Sequence, residues 1–175
     1  MKKILNRKII YKNKWLKIVS RKIKFLHKRT SNFYSIDQKD YVCILLQTEN
    51  NLFPMVRQYR HAIGKYTLEF PSGILDHKET PVECAKKEVL EETGHEVMKL
   101  IKLSTLYPDS GRLSNKVHMF FAKTKDKKVQ EISELEEIKV SYHTKKQIEK
   151  LIKNNKILHQ QHIGLFYSAI IKNLI

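Results

Sequence analysis

The chain has 175 residues, 41% of them hydrophobic, and its 34 Lys and Arg against 18 Asp and Glu give a formal net charge of +16. A chain of this length buries about 70% of its unfolded surface on folding, which argues against a disordered tail or a disulfide-dependent mini-protein. The charge favours anionic partners, and it does not choose among nucleic acid, membrane surfaces and phosphorylated small molecules.

The sequence carries no signal for export or membrane insertion. Its longest apolar runs, such as residues 42–46, are much shorter than the roughly 20 residues of a transmembrane helix. The N-terminal residues lack an apolar stretch followed by a cleavage site, so we expect no secretory signal. Cys43 and Cys84 show no CxxC spacing, which argues against a disulfide framework or a zinc site. We therefore expect a cytoplasmic protein.

Basic and acidic residues are unevenly distributed. Twelve Lys and Arg precede Asp37, the first acidic residue, and they alternate with apolar residues as in solvated strands. Contact of this basic arm with RNA or a membrane is the alternative interpretation. Eight of the 18 acidic residues lie between Glu69 and Glu96. A basic protein thus concentrates its carboxylates in one segment.

The predicted elements begin with strands. Residues 8–26 alternate loosely and indicate two edge strands around a turn at residues 13–14. Two apolar runs, residues 41–47 and 53–58, flank a turn-like segment and predict a central hairpin. Residues 66–70 indicate a short strand that ends in a Pro-Ser-Gly loop.

A helix with clear boundaries is predicted over Pro81–Thr93. Thr80 is the N-cap candidate, and Glu83 completes a capping box with it. Pro81 occupies the first helical position, where proline is favoured, and Gly94 supplies the stop.

The remaining segments are predicted as two strands, a loop and two helices. The strands cover residues 97–107 and 116–122, and the polar loop covers residues 123–137. The helices cover residues 144–154 and 160–174. Apolar residues recur at helical spacing along the last helix, and we expect this stripe to cover the core rather than bind a partner helix. The stripe consists of Ile163, Phe166, Tyr167, Ile170, Ile171 and Leu174.

Three glutamates share one side of the helix at Pro81–Thr93. Glu92 is four residues from Glu88 and Glu91 is three, so the carboxylates project together. Like charges at this spacing destabilise a helix by about 0.2–0.5 kcal/mol per pair. Mg²⁺ binds a few carboxylates while it keeps waters and substrate phosphates, so the face predicts a divalent-metal site. A solvated acidic face balanced by Lys86 and Lys87 is the alternative.

Residues 73–95 resemble the Nudix box, the loop and helix signature of Nudix hydrolases. The pattern is Gly, five residues, Glu, seven residues, Arg-Glu, an aliphatic residue, any residue, Glu-Glu, any residue, Gly and an aliphatic residue. The chain departs from it at Lys87, where the family has Arg, and at His95, where it has an aliphatic residue. The resemblance implies an α/β Nudix sandwich with a mixed β-sheet, one domain over residues 1–175, extended by N-terminal strands over residues 1–36.

Outside the box, the resemblance points to ADP-ribose pyrophosphatases and related nucleoside diphosphate-sugar hydrolases. Four segments resemble parts of that branch, namely residues 13–16, 56–60, 68–73 and 107–122. In the last of these, Asn115 stands where many bacterial members have Glu.

The resemblance implies a role for each residue of the site. It implies metal ligation by Glu88, Glu92, the carbonyl of Ser72 and Glu136. For Glu79 it implies either metal binding through water or the orientation of Lys87 or of the loop. It gives Glu134 the role of base, Glu91 a helper role and Lys87 the orientation of a box glutamate. It places Arg60 and Arg112 on the diphosphate, and Glu69 on a basic partner or a metal-bound water. For Glu134 and Glu136 a solvated charge run is the alternative, and for Arg60 and Arg112 an ordinary surface position.

The implied activity is Mg²⁺-dependent hydrolysis of a nucleoside diphosphate sugar, with ADP-ribose giving AMP and ribose 5-phosphate, by a homodimer. Mn²⁺ is a possible replacement for Mg²⁺. Two other functions stay open. One is a pyrophosphohydrolase of RNA 5′ ends or dinucleoside polyphosphates, suggested by the basic arm. The other is a Nudix domain that binds nucleotide or RNA without catalysis, suggested by Lys87 and Asn115.

Overall fold

A computed structural model of the chain describes residues 3–26, 29–125 and 138–175. These residues form strands and α-helices, which confirms the predicted α/β class. In chain order the elements are β1 (Lys3–Lys12), β2 (Lys17–Lys24), β3 (Thr30–Asp37), β4 (Tyr41–Thr48), β5 (Phe53–Arg60), β6 (Lys65–Glu69), β7 (Ser72–Ile74), α1 (Pro81–Thr93), β8 (Val97–Leu106), β9 (Val117–Thr124), β10 (Lys139–His143), α2 (Lys145–Lys153) and α3 (Gln160–Ile171). In the described part of the chain, no helix is long and apolar enough to cross a membrane.

The chain divides into two compact units. The strand unit comprises residues 1–40 and 106–117, and the main unit comprises residues 41–105 and 118–175. The expectation of one Nudix domain over residues 1–175 stays a prediction.

The strand unit is built on an antiparallel sheet in the order β1-β2-β3. The predicted pair of strands is confirmed, but the prediction that both are edge strands is wrong, because β2 lies between β1 and β3. The turn is held by Asn13, whose side chain accepts hydrogen bonds from the backbone of Trp15 (2.8 Å) and Leu16 (2.9 Å). Such an Asx turn fixes the reversal without glycine. β3 adds a third strand that the sequence pattern did not indicate.

In the main unit, β4 runs through the centre of a sheet with the order β7-β4-β9-β8. Its residues Val42, Ile44 and Leu46 are fully buried in a cluster that includes Ala85 and Val89 of α1. The apolar face of α1 therefore packs on β4, which leaves its glutamate face turned away from this cluster.

The predicted hairpin of β4 and β5 is wrong. β5 lies between β10 and β6 in a separate three-stranded sheet. Residues 48–52 form a turn, in which Thr48 N–H donates to the carbonyl of Leu52 (2.8 Å), and the chain changes sheet there. β4 is buried along nearly its whole length, and β5 is buried over its first four residues. A continuous apolar run of this kind does not identify a strand's partner.

The predicted helix at Pro81–Thr93 is confirmed with the same boundaries. Both bonds of the capping box form: the Thr80 side chain accepts from Glu83 N–H, and the Glu83 side chain accepts from Thr80 N–H. Gly94 ends the helix with a φ of 72°, a left-handed conformation that glycine adopts without strain.

The final helices are also confirmed, but the buried face of α3 differs from the predicted stripe. The stripe included Tyr167 and Ile171, whose exposed fractions are 43% and 78%. The residues that α3 buries are His162, Leu165, Phe166 and Ala169. Because His162 is one of these four residues, the spacing of apolar residues alone could not predict the whole buried face.

Candidate active site

The last turn of α1 places Glu92 beside the edge of β7. Its Oε2 accepts a hydrogen bond from Ser72 N–H (2.9 Å), and only 6% of the residue is exposed. Burial raises the pKa of Glu92 to about 8, and the neighbouring Glu88 adds to the increase. A carboxylate that is costly to ionise next to a second carboxylate is the electrostatic condition that a bound cation relieves.

Glu88 lies one turn before Glu92, directly against Gly73. A Cβ atom added to Gly73 would lie 1.9 Å from Cδ of Glu88. Glycine is needed here for close approach, since any side chain would occupy the position of the carboxylate. Two glutamates on one face of α1 thus contact β7, Glu92 at Ser72 and Glu88 at Gly73.

Lys87 contacts three carboxylates of the loop and helix. Its Nζ lies 3.0 Å from Oε1 of Glu79, 3.3 Å from Oδ2 of Asp76 and 3.9 Å from Oε1 of Glu88. The other oxygen of Glu79 accepts from Asp76 N–H (3.0 Å). Glu79 is therefore held by Lys87 and by its own loop, an arrangement that suits an orienting role for both residues.

A part-buried ion pair joins β5 and β6. Arg60 donates from Nε (2.7 Å) and Nη2 (2.6 Å) to the two oxygens of Glu69, and the Thr67 hydroxyl donates to the same carboxylate. Glu69 is fully buried, while the Arg60 side chain is 37% exposed. Burial acts to raise the pKa of Glu69, but hydrogen bonds from Arg60 and other donors outweigh it and hold the pKa below its usual value.

Two histidines at the start of α3 complete this cluster, which sequence reasoning missed. Oε2 of Glu69 lies 3.4 Å from Nδ1 of His159 and 3.6 Å from Nε2 of His162. The spacing of the histidines, three residues apart at the start of a helix, is the signal that could have suggested a shared partner. No local pattern connects them to Glu69, which lies about 90 residues earlier.

Glu69, His159 and His162 have the residue types of a metal site, because their potential ligand atoms lie within 4.8 Å of one another. However, Nδ1 of His162 accepts from Phe70 N–H (3.0 Å), so its proton is on Nε2, the atom facing Glu69. A protonated nitrogen cannot ligate a metal. Burial lowers the pKa of His162 to about 3, which keeps the ring neutral. The cluster therefore stabilises the Glu69 carboxylate with donors.

A cavity of about 360 Å³ opens along these groups. Arg60 and Glu69 line it from one strand pair, Ser72 and Gly73 from β7, and His159 from the start of α3. Its size lies in the range of small-molecule sites. Two of the metal-binding candidates, Glu88 and Glu92, contact the same β7 residues that form its edge.

Four predicted site residues remain, namely Glu91, Arg112, Glu134 and Glu136. Glu91 is exposed on α1. Arg112 belongs to the strand unit, where its Nε donates to Asp109 (2.8 Å) and 81% of its side chain is exposed. Glu134 and Glu136 fall outside the described residues.

Two of the departures from the family pattern, His95 and Asn115, are buried and form side-chain hydrogen bonds. His95 is fully buried, and its Nε2 lies 2.8 Å from the hydroxyl of Tyr142 in β10. Asn115 is buried in the strand unit and accepts from the Gln38 side chain (3.2 Å). A hydrogen bond thus satisfies a buried polar group at each position.

Comparison with known proteins identifies the family of this site. The family model described as NUDIX domain matches residues 37–162. An ADP-ribose pyrophosphatase from Bacillus subtilis (strain 168) is 34% identical over 96 residues, which are 55% of this chain and 48% of that protein. A GDP-mannose pyrophosphatase from Escherichia coli (strain K12) is 34% identical over 89 residues, 47% of this chain and 46% of that protein. The chain thus spans about half the length of these curated relatives.

A solved structure shows the same fold over nearly the whole chain. A crystal structure described as an ADP compounds hydrolase has a TM-score of 0.82 and covers 99% of this chain and 97% of its own. Sequence identity is 16%, so the likeness concerns the fold. It confirms the predicted α/β arrangement.

Proposed function

The chain belongs to the Nudix family, and we propose that it hydrolyses the diphosphate linkage of a nucleoside diphosphate sugar in the cytoplasm. The proposed substrate is ADP-ribose, cleaved to AMP and ribose 5-phosphate. The observation that carries the proposal is the buried Glu92 beside Glu88, both of which contact β7 residues that line a cavity together with Arg60. Ser72 and Gly73 therefore lie between the acidic pair and the cavity.

The acidic side of the site fits a divalent cation. Glu88 and Glu92 are the proposed ligands, joined by the Ser72 carbonyl, Glu79 and Glu136. Hard carboxylate oxygens suit Mg²⁺, with Mn²⁺ as an alternative. When bound, such a cation neutralises phosphoryl oxygens and lowers the pKa of water. The raised pKa of Glu92 supports this assignment, because burial and the neighbouring Glu88 make its ionised form costly and a bound cation would lower that cost.

The basic side of the site fits a diphosphate. Arg has five N–H donors, and Glu69 takes two of those on Arg60, so the part-exposed guanidinium retains donors for an anion in the cavity. Glu69 therefore orients Arg60 in this proposal. Arg112 is proposed as a second contact to the diphosphate.

The remaining roles concern water activation. Water attacks one phosphorus atom, a new P–O bond forms as the bridging P–O bond breaks, and Glu134 accepts the proton of the water. Lys87 orients Glu79 and Glu88, to which it is paired. Glu91 acts as a helper on the same helix. Positioned proton acceptors of this kind contribute about 10²–10⁴-fold to rates.

A substrate panel tests the proposal. The protein is incubated with Mg²⁺ and ADP-ribose, GDP-mannose, a dinucleoside polyphosphate or 5′-triphosphate RNA, and products are identified by mass spectrometry. The names of the relatives, an ADP-ribose and a GDP-mannose pyrophosphatase, set the first two substrates. We expect AMP and ribose 5-phosphate from ADP-ribose. Hydrolysis of the RNA alone, or binding of nucleotide without turnover, would contradict the proposal.

We also propose that the protein is a homodimer joined through the strand unit. All ten residues of β1 are exposed, and β1 is an edge strand of its sheet. Its apolar residues Ile4, Ile9 and Ile10 are each about half exposed. An exposed apolar edge strand is a template for pairing with a second chain. Light scattering should give twice the 20.8 kDa chain mass, and Ile9→Lys with Ile10→Lys should give a folded monomer; a monomeric wild type would refute this.

A further inference from the structure

His159 is placed at the cavity by the start of α3. It is the N-cap residue of that helix, but its side chain makes no capping hydrogen bond. Nδ1 is buried and lies 3.4 Å from Oε2 of Glu69, while the side chain as a whole is 21% exposed. The exposed part of the side chain therefore excludes Nδ1, and Nε2 is the other ring atom that can bond a ligand. His159 is also one of the residues that line the cavity.

Glu69 sets which nitrogen of His159 carries the proton. A lone pair on Nδ1 would face the negative charge of the carboxylate, whereas an N–H there is attracted to it. The neutral ring thus has its proton on Nδ1 and its acceptor on Nε2. A carboxylate that fixes a histidine in this way leaves the opposite nitrogen ready for a ligand.

The other polar groups of the cavity suit a ligand with both a negative charge and hydroxyl groups. Arg60 offers N–H donors, and Gln161 offers an amide that both donates and accepts. Burial raises the pKa of Tyr41 to about 12, so its phenol stays protonated and can donate. Sugar hydroxyls need donors and acceptors together, and a phosphate needs cationic or N–H donors.

The lining is less suited to a nucleobase. Bases bind by stacking on open aromatic faces. Three aromatic rings line the cavity. His162 is only 2% exposed, the His159 side chain is 21% exposed, and Tyr41 is half-buried. The apolar part of the lining consists of Ala62, Ile63 and Ile74, which offer no ring.

We infer that this cavity binds the sugar-phosphate half of the substrate, and that His159, oriented by Glu69, accepts a hydrogen bond from a sugar hydroxyl through Nε2. The inference rests on the proposed function and deepens it, because it divides the substrate between two parts of the site. The phosphate lies towards Arg60 and the edge formed by Ser72 and Gly73. The hydroxyl groups lie towards His159 and Gln161.

Product binding tests the inference without requiring turnover. Kd values for ribose 5-phosphate and AMP are measured by calorimetry with Mg²⁺ for the wild type and His159→Ala. Loss of one hydrogen bond should weaken ribose 5-phosphate binding about threefold to tenfold, with AMP binding unchanged. His143→Ala is the matched control, because His143 bonds Ser141 in β10 and does not line the cavity. Equal Kd values for ribose 5-phosphate in the wild type and His159→Ala, or weakened AMP binding instead, would overturn the inference.

Two further variants separate contact from positioning. His159→Gln places an amide near the position of Nε2, and His159→Asn places one near Nδ1. Recovery of ribose 5-phosphate affinity in His159→Gln and not in His159→Asn is the expected result. Recovery in His159→Asn alone would mean that the residue only supports Glu69 and would reject the sugar contact.

Hydrolysis measured in parallel distinguishes the two proposals. If the wild type is active and its Kd for ribose 5-phosphate is unchanged in His159→Ala, only the sugar contact is contradicted. A wild type that binds ribose 5-phosphate through His159 but hydrolyses none of the panel contradicts only the proposed activity.

Discussion

The contact between Gly73 and Glu88 shows how one residue without a side chain shapes the acidic face. The glycine Cα leaves space that the Glu88 carboxylate occupies, and Ser72 N–H holds Glu92 alongside it. The family resemblance placed these residues in one motif. It did not reveal that Glu92 is buried, because burial depends on β7, a three-residue strand that the sequence did not indicate.

Gly73→Ala should therefore disable the site without unfolding the chain. The added methyl group must displace Glu88, and a displacement of about 1 Å near reacting groups can cost about 100-fold in rate. We expect metal-dependent turnover to fall by at least about that factor, with little change in the far-ultraviolet circular dichroism spectrum.

Gly164→Ala is the matched control for this substitution. Gly164 lies in α3, and nothing lies within 4 Å of a Cβ atom added there. Alanine in a helix is favoured over glycine by about 1 kcal/mol, so this variant should be as active as the wild type and slightly more stable. Full activity in Gly73→Ala would show that Glu88 does not need its observed position.

The network around Glu69 marks the limit of sequence reasoning at the residue scale. Glu69 was predicted to contact a metal-bound water or a basic partner, and the structure confirms a basic partner. That partner is Arg60, which was predicted only to contact the diphosphate. His159 and His162 reach the same carboxylate from the far end of the chain. Contacts between such distant segments depend on the fold and leave no periodic pattern.

At the scale of elements, α1 was predictable because its signals are local. Thr80 and Glu83 form the capping box within four residues, and Gly94 ends the helix. The pairing of β4 and β5 was not predictable in this way, since strand partners are chosen by the packing of whole sheets. Helix α2 repeats the capping box with Thr144 and Gln147, another local device.

Thr80→Ala should destabilise the main unit through α1. It removes the oxygen that accepts from Glu83 N–H, and loss of such an N-cap typically costs about 1 kcal/mol. Urea unfolding measures the change in the free energy of unfolding. Thr144→Ala is the matched variant in α2 and should cost a similar amount. If neither variant changes the urea midpoint, these caps do not stabilise the folded state.

At the scale of the whole molecule, stability should depend on pH through the buried His162. Its pKa falls from an ordinary value of 6.5 to about 3 in the folded chain, chiefly because of burial. Between these values the unfolded chain binds a proton that the folded chain does not. Stability therefore rises with pH across this window and is lost as the pH falls from 6.5 towards 3, by up to about 1.4 kcal/mol per pH unit.

Unfolding by urea at pH 7, 6, 5 and 4 measures this dependence. His162→Asn removes the titrating group, and its amide oxygen lies near the position of Nδ1, so it can still accept from Phe70 N–H. The variant should show a shallower decline in stability than the wild type. His61→Asn is a control at an exposed histidine. Parallel pH profiles for the wild type and His162→Asn would contradict the buried, neutral assignment.

Glu92→Gln tests whether α1 carries a metal-dependent hydrolytic site. The amide can still accept from Ser72 N–H, and the variant lacks the buried charge, so without metal its melting temperature should equal or exceed that of the wild type. The measurement is kcat/KM for ADP-ribose at saturating Mg²⁺ in both proteins. We expect a loss of at least about 100-fold in Glu92→Gln, since metal ions contribute several kcal/mol to such reactions. An unchanged kcat/KM in a folded Glu92→Gln protein would overturn the assignment of Glu92 to the metal.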